Sequence, residues 1–164
     1  MLKIRPFIQQ RDTTCGPASL KIILHYYGIR VPESVLTRQC RTRSDYGTPH
    51  SSMIRVMRRY GFRVIVKKNT CGLGDIRSYV ARGYPVIVNW YSNRYPPSGG
   101  HYSIVIGVEG RMIVLLDPSD GKRVRIPWHE FRQLWFDFDG DLAFHPPPMK
   151  VFWRWMMAVL PKSN

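Results

Sequence analysis

The hydrophobic period of this chain turns from helical to mainly extended after Gly61, and this restricts the fold more than any other feature. Before Gly61, the positions Leu20, Ile23, Leu24 and Tyr27 recur at helical spacing, and Gly28 ends that run. Residues 32 to 40 read as a short second helix with Val35, Leu36 and Gln39 at turn spacing. A third helix follows Gly47-Thr48, with an apolar stripe of Met53, Ile54, Met57 and Tyr60. After Gly61 come a strand over 62–66, a helix over 75–82 and a buried strand over 86–91. Strands over 101–108, 112–116 and 122–126 are joined by the tight turns Glu109-Gly110 and Ser119-Asp120-Gly121. A short helix over 128–135 and a last strand over 140–145 complete the reading. Helices first and an antiparallel sheet second specify an α+β domain of two lobes.

With 164 residues, one core is expected, covering residues 1–145. Residues 146–164 form a proline-rich, apolar tail that is not a separate domain. Within it residues 149–160 are strongly apolar yet too short to span a bilayer. If the tail is helical, Lys150 and Arg154 share one face, and a broad Trp/Met surface is left to pack on the domain, on another chain or in a membrane interface. Packing is the favoured outcome, because large exposed apolar patches are rare in soluble proteins.

Three cysteines without a paired CxxC spacing argue against a disulfide framework and a structural zinc site. They point to a reducing compartment. No apolar stretch has the length of a membrane span, so a cytoplasmic protein is expected, with the tail as the one route to membrane association. Lys and Arg number 25 against 11 acidic residues, a formal charge of +14, which favours anionic partners. Eighteen of those cations are arginine, suited to bidentate and stacked contacts.

The chemistry centres on Cys15. It opens the run Cys15-Gly16-Pro17-Ala18 behind the candidate capping residues Asp12-Thr13-Thr14, so a lone thiol stands where a helix begins. A thiol attacks as thiolate, and the positive end of a helix together with an imidazolium partner favours that form. His101, at the head of an apolar strand, is the candidate base and donor to the leaving amine. Asp117 ends the next strand, where cross-strand pairing is expected to bring it to the His101 ring. Gln9 is the candidate side-chain donor to an oxyanion beside the Cys15 amide, with Gln10 as competitor. Nucleophile, base, orienting acid and oxyanion donor together read as a cysteine hydrolase. Cys71 repeats the Thr-Cys-Gly wording, but its helix starts several residues later and no glutamine precedes it at the same offset, so it reads as a decoy. Cys40 ends a helix stripe and reads as core. His25, His50, His129 and His145 lack ligand spacing, so neither metal nor cofactor is expected.

Gln9, Cys15-Gly16-Pro17-Ala18, Gly47-Thr48, residues 83–88, Gly100-His101-Tyr102 and Leu116-Asp117-Pro118, in this order and spacing, resemble the bacteriocin-processing, double-glycine leader cysteine peptidases. The resemblance runs from about residue 4 to 143. It implies a papain-like fold, Cys15 as nucleophile, His101 as base, Asp117 as orienter and Gln9 as oxyanion donor. It also implies a precursor whose leader docks as an amphipathic helix and is cut after two small residues, with an acidic leader suiting the basic charge. Gly16, Trp90, Tyr91, Gly100 and Tyr102 are expected to line the substrate, with Trp90 and Tyr91 narrowing the subsites. Core packing explains these aromatics equally well. Relatives are often the first domain of an exporter, whereas this sequence has no GxxxxGK[ST] phosphate loop, so a stand-alone member is expected. A papain-fold acyltransferase or amidase, and a silent adaptor holding acidic peptide, are the alternatives. Nucleic acid is a weaker candidate.

Overall fold

A computed structural model describes residues 1–92, 99–138 and 151–162. Three helices come first: α1 (Cys15–Tyr26), α2 (Glu33–Cys40) and α3 (His50–Arg59). Then follow β1 (Phe62–Lys67), α4 (Leu73–Val80), β2 (Val86–Ser92), β3 (Gly99–Glu109), β4 (Met112–Leu116), β5 (Arg123–Pro127) and α5 (Trp128–Leu134). The short strands β6 (Phe136–Phe138) and β7 (Val151–Trp153) pair with each other, and β8 (Met156–Pro161) closes the described chain. The main sheet is antiparallel with order β1-β8-β2-β3-β4-β5. The α+β class and the helices-then-sheet order are therefore those read from the periodicity.

α1 is buried on most of its circumference, with Leu20, Ile22, Ile23 and Leu24 fully inaccessible between the other helices and β3. Burial of four such side chains, each contributing about 1.5–3 kcal/mol, makes this helix the centre of the helical lobe. Its start differs from expectation in one respect: no side chain caps it. The Thr14 hydroxyl is turned instead toward the Arg11 carbonyl and the Glu33 carboxylate. In α3 the buried face runs through Ser52, Met53, Val56 and Met57, leaving Ile54 only partly covered and Arg58 and Arg59 in solvent. Gly61 follows at φ 87°, a left-handed backbone that glycine adopts without strain.

The apolar tail is strand rather than helix. β8 lies between β1 and β2, pairing Ala158 with both Ile65 and Val86, and Met156, Met157, Ala158 and Val159 are wholly inaccessible. An interior strand covered on both faces needs a continuous apolar run, and such a run has no period to separate it from a buried helix. The surface expected to pack on the domain is thus a central strand of its sheet. The strand anticipated over 140–145 lies outside the described residues.

Two main-chain bonds carry the N-terminal segment across the sheet end. The Leu2 amide donates to the Ile106 carbonyl at 2.7 Å, where the β3–β4 register shifts, and the Gln9 amide donates to the Pro118 carbonyl at 2.8 Å. The second of these delivers Gln9 to the turn after β4, beside Asp117.

Candidate active site

Cys15 is the first residue of α1 and is 8% exposed. Its approach to the Gly47-Thr48 loop explains both motifs at once: a Cβ on Gly16 would stand 2.8 Å from the Thr48 Cβ, so only glycine lets the helix start come this close. The Thr48 carbonyl in turn accepts the Tyr102 hydroxyl at 2.8 Å, tying the helix start to β3 one residue beyond His101.

His101 is the third residue of β3, and its direct cross-strand partner is Trp90 on β2. Asp117 follows β4. Its contact with His101 is real, but direct pairing does not supply it: Ile104 pairs with Leu116, so continuing that register sets Ser103 opposite Asp117. The imidazole reaches the carboxylate diagonally, two residues along the strand, within the span long side chains cover. His101 Nε2 lies 2.7 Å from Asp117 Oδ1. The carboxylate is fully buried, and the same oxygen accepts the Ser119 amide at 2.9 Å. With Nε2 facing Asp117, Nδ1 is the ring nitrogen left for the Cys15 thiol, which acts on the imidazole electrostatically.

Burial alone disfavours an imidazolium here, but the Asp117 hydrogen bond and the electrostatic pull of the neighbouring Cys15 and Asp117 raise the His101 pKa above the ordinary histidine value. Burial likewise disfavours the Asp117 carboxylate, yet the His101 hydrogen bond, its positive charge and the Ser119 amide hold Asp117 below the usual range. The arrangement favours the protonated ring and the ionised acid.

Gln9 is partly buried. Its Nε2 donates to the Arg11 and Asp12 carbonyls at 2.9 and 3.2 Å, and its Oε1 faces the Ser119 hydroxyl at 3.5 Å. That hydroxyl is also 3.3 Å from His101 Nε2, so Ser119 joins the histidine and the glutamine. Gln10 points its side chain to solvent while its amide donates to Glu33. Neither Ser119 nor Glu33 stood out in the sequence. One reads as a turn residue and the other as a first-turn acid of a helix, and no local signal separates those roles from the observed ones.

Among the residues expected to line a substrate, Trp90 is 1% exposed, with its indole donating to the Ser103 hydroxyl at 3.0 Å and its ring against Phe131. Tyr102 is also buried. Tyr91 is half-buried and stacked on Phe136 at 5.4 Å, opposite the exposed Gly100 in the β2–β3 register. A Cβ on Gly100 would run into the Asp137 carboxylate.

The other two cysteines are held as thiols. Burial pushes Cys40 up to about 12 and Cys71 to about 11, and Cys71 donates to the Arg154 carbonyl at 2.7 Å. Among the described residues, no group of three or more His, Cys, Asp or Glu side chains could hold a metal ion, and no helix is long and apolar enough to cross a membrane.

Comparison with solved structures finds the same fold. The peptidase domain of Streptococcus ComA, a bifunctional ABC transporter involved in quorum sensing, superposes with a TM-score of 0.72 at 19% identity, covering 96% of this chain and 98% of that one. A double-glycine motif protease from an AMS/PCAT transporter, in complex with its leader peptide, gives 0.70 at 21% identity, covering 98% and 93%. A C39-like protein of Bacillus anthracis gives 0.68 at 18% identity, covering 97% and 96%. No curated protein matches by sequence. The model of the Peptidase_C39 like family matches residues 1–141, most of the chain. The protein therefore belongs to the Peptidase_C39 like family and carries its papain-like α+β fold.

Proposed function

We propose that this protein is a cysteine peptidase that removes the leader of a peptide precursor, cutting after two small residues of the Gly-Gly type. One observation carries the reading: His101 stands between Cys15, which acts on the ring electrostatically, and the buried Asp117 carboxylate, which its Nε2 meets at 2.7 Å. In the first step the Cys15 thiolate attacks the scissile carbonyl, forming the Sγ–C bond. The Cys15 amide and the Gln9 carboxamide stabilise the oxyanion, the carboxamide turning one hydrogen from the Arg11 or Asp12 carbonyl to the substrate. Protonated His101 then gives its proton to the leaving nitrogen as the C–N bond breaks. Water attacks the thioester, His101 takes its proton, and the Sγ–C bond breaks to release the new carboxyl terminus.

The surroundings favour small residues at the cut. Tyr91 on Phe136, and Asp137 against Gly100, crowd the approach to His101 from the β6 side. The net charge of +14 suits an acidic leader in the cytoplasm, and one structural neighbour is a double-glycine protease bound to a leader peptide. The test is cleavage of a synthetic precursor carrying Gly-Gly at the leader junction. The parent protein cuts it there and Cys15→Ala does not. Equal rates for the two would refute the assignment.

A further inference from the structure

The segment between the oxyanion donor and the nucleophile is held from below by a carboxylate that takes no part in the chemistry above. Glu33, in the first turn of α2, is 1% exposed. Its Oε1 accepts the Gln10 amide at 2.8 Å and stands 2.8 Å from the Thr14 hydroxyl. These two contacts bracket the turn between Gln9 and Cys15. The hydroxyl is also 2.8 Å from the Arg11 carbonyl and accepts the Arg11 amide, so the turn is closed on itself as well as on Glu33. The carbonyls of Arg11 and Asp12, inside the bracket, are the ones that hold the Gln9 carboxamide.

Stability alone does not call for an acid here. Glu33 Oε2 is buried with no hydrogen-bond partner among the described residues, and leaving such an oxygen unpaired costs about 1–3 kcal/mol. An apolar side chain of similar size would remove that unpaired oxygen and its cost. What it would lose is the acceptor common to Gln10 and Thr14. Resting on the peptidase reading above, the geometry points to Glu33 as a positioning residue that sets the spacing between the Gln9 carboxamide and the Cys15 sulfur by clamping both ends of the turn.

The experiment measures kcat and KM on the Gly-Gly precursor peptide. Glu33→Leu lowers kcat about 10- to 100-fold, less than the full loss of one oxyanion donor, with KM changed less than about twofold. Glu33→Gln keeps an acceptor and stays within about threefold of the parent. In a Gln9→Ala background, Glu33→Leu has little further effect, because its action passes through Gln9. An undiminished kcat for Glu33→Leu, or the same fold loss in both backgrounds, overturns the proposal. If Glu33→Leu does not fold, Thr14→Val cuts the clamp from its other end and must lower kcat in the same manner; an unchanged kcat overturns it equally. Amide exchange gives a substrate-free arm: the Gln10 N–H exchanges at least about tenfold faster in Glu33→Leu, or in Glu33→Ser if that alone folds, while Ile23 in the core of α1 is unchanged. Unaltered Gln10 exchange sinks the clamp. Absence of cleavage by the parent sinks only the peptidase assignment.

Discussion

Thr14-Cys15-Gly16 and Thr70-Cys71-Gly72 are the same tripeptide in two surroundings. Both cysteines are nearly inaccessible, at 8% and 3%, and both stand at or just before a helix. Cys15 meets an imidazole, whereas Cys71 donates to the Arg154 carbonyl at the bend between β7 and β8, where Arg154 has φ 49°. The two environments differ in the polar group beside the sulfur, an imidazole in one and a backbone carbonyl in the other. The glycines differ in the same way: Gly16 is jammed against Thr48, and nothing stands within 4 Å of a Cβ on Gly72.

The largest contrast is in turnover. Removing the sulfur in Cys15→Ala lowers kcat on the precursor peptide on the order of 10⁵-fold, the scale seen when a covalent nucleophile is deleted. Cys71→Ala leaves kcat within about twofold and costs stability instead, about 1–3 kcal/mol for the unpaired Arg154 carbonyl and the lost sulfur packing. Comparable kcat losses in the two variants would erase the distinction.

Next comes the partner that holds the imidazole. Asp117→Asn lowers kcat about 10³- to 10⁴-fold, by the effect known for an orienting acid in a catalytic triad. It also moves the alkaline limb of the pH profile. Since Asp117 raises the His101 pKa, its loss brings that limb down toward the ordinary histidine value near 6.5. A limb that stays in place contradicts the role.

The same pair makes a signed prediction for stability. His101 titrates higher in the folded chain, so its contribution is complete below about pH 6.5 and is lost as pH rises through the folded value. Asp117 titrates lower, so its contribution is complete above about pH 4 and is lost as pH falls through its folded value. The difference in melting temperature between the parent and His101→Ala is therefore widest between about pH 4 and 6.5. A difference flat from pH 3 to 10 would show the pair to be uncoupled from folding.

Alkylation sharpens the comparison without a substrate. At pH ~6, iodoacetamide labels Cys15 about 10²-fold faster than Cys71 or Cys40, whose thiols burial holds neutral. Uniform slow labelling would instead favour a silent adaptor. The smallest effect belongs to the glycines: Gly16→Ala destabilises by about 1–3 kcal/mol because the Thr48 side chain must move, and Gly72→Ala changes stability by no more than about 0.5 kcal/mol. Equal costs would mean that the close approach at Thr48 is not a constraint.

Much of this was legible beforehand because it is written in short-range pattern. A capped-looking helix start at Cys15, a histidine heading one apolar strand and Asp-Pro ending the next single out, without coordinates, three groups that the structure brings together. The apolar tail was harder, since Met156 to Val159 are buried on both faces and carry no period that would separate strand from helix. Residues such as Ser119 and Glu33 were invisible for a different cause. Their roles depend on partners as distant as Gln9, 110 positions from Ser119, and Gln10, 23 positions from Glu33.

By itself, then, the amino-acid order determined the helical first lobe and the antiparallel second one and singled out Cys15, His101 and Asp117, because each follows from spacing within a few residues. Tertiary structure alone decided that Ser119 stands between His101 and Gln9, that β8 completes the sheet from the far end of the chain, and that a buried carboxylate braces the turn before Cys15. Those outcomes depend on long-range pairing, where burial and hydrogen bonding act between residues that no local pattern connects.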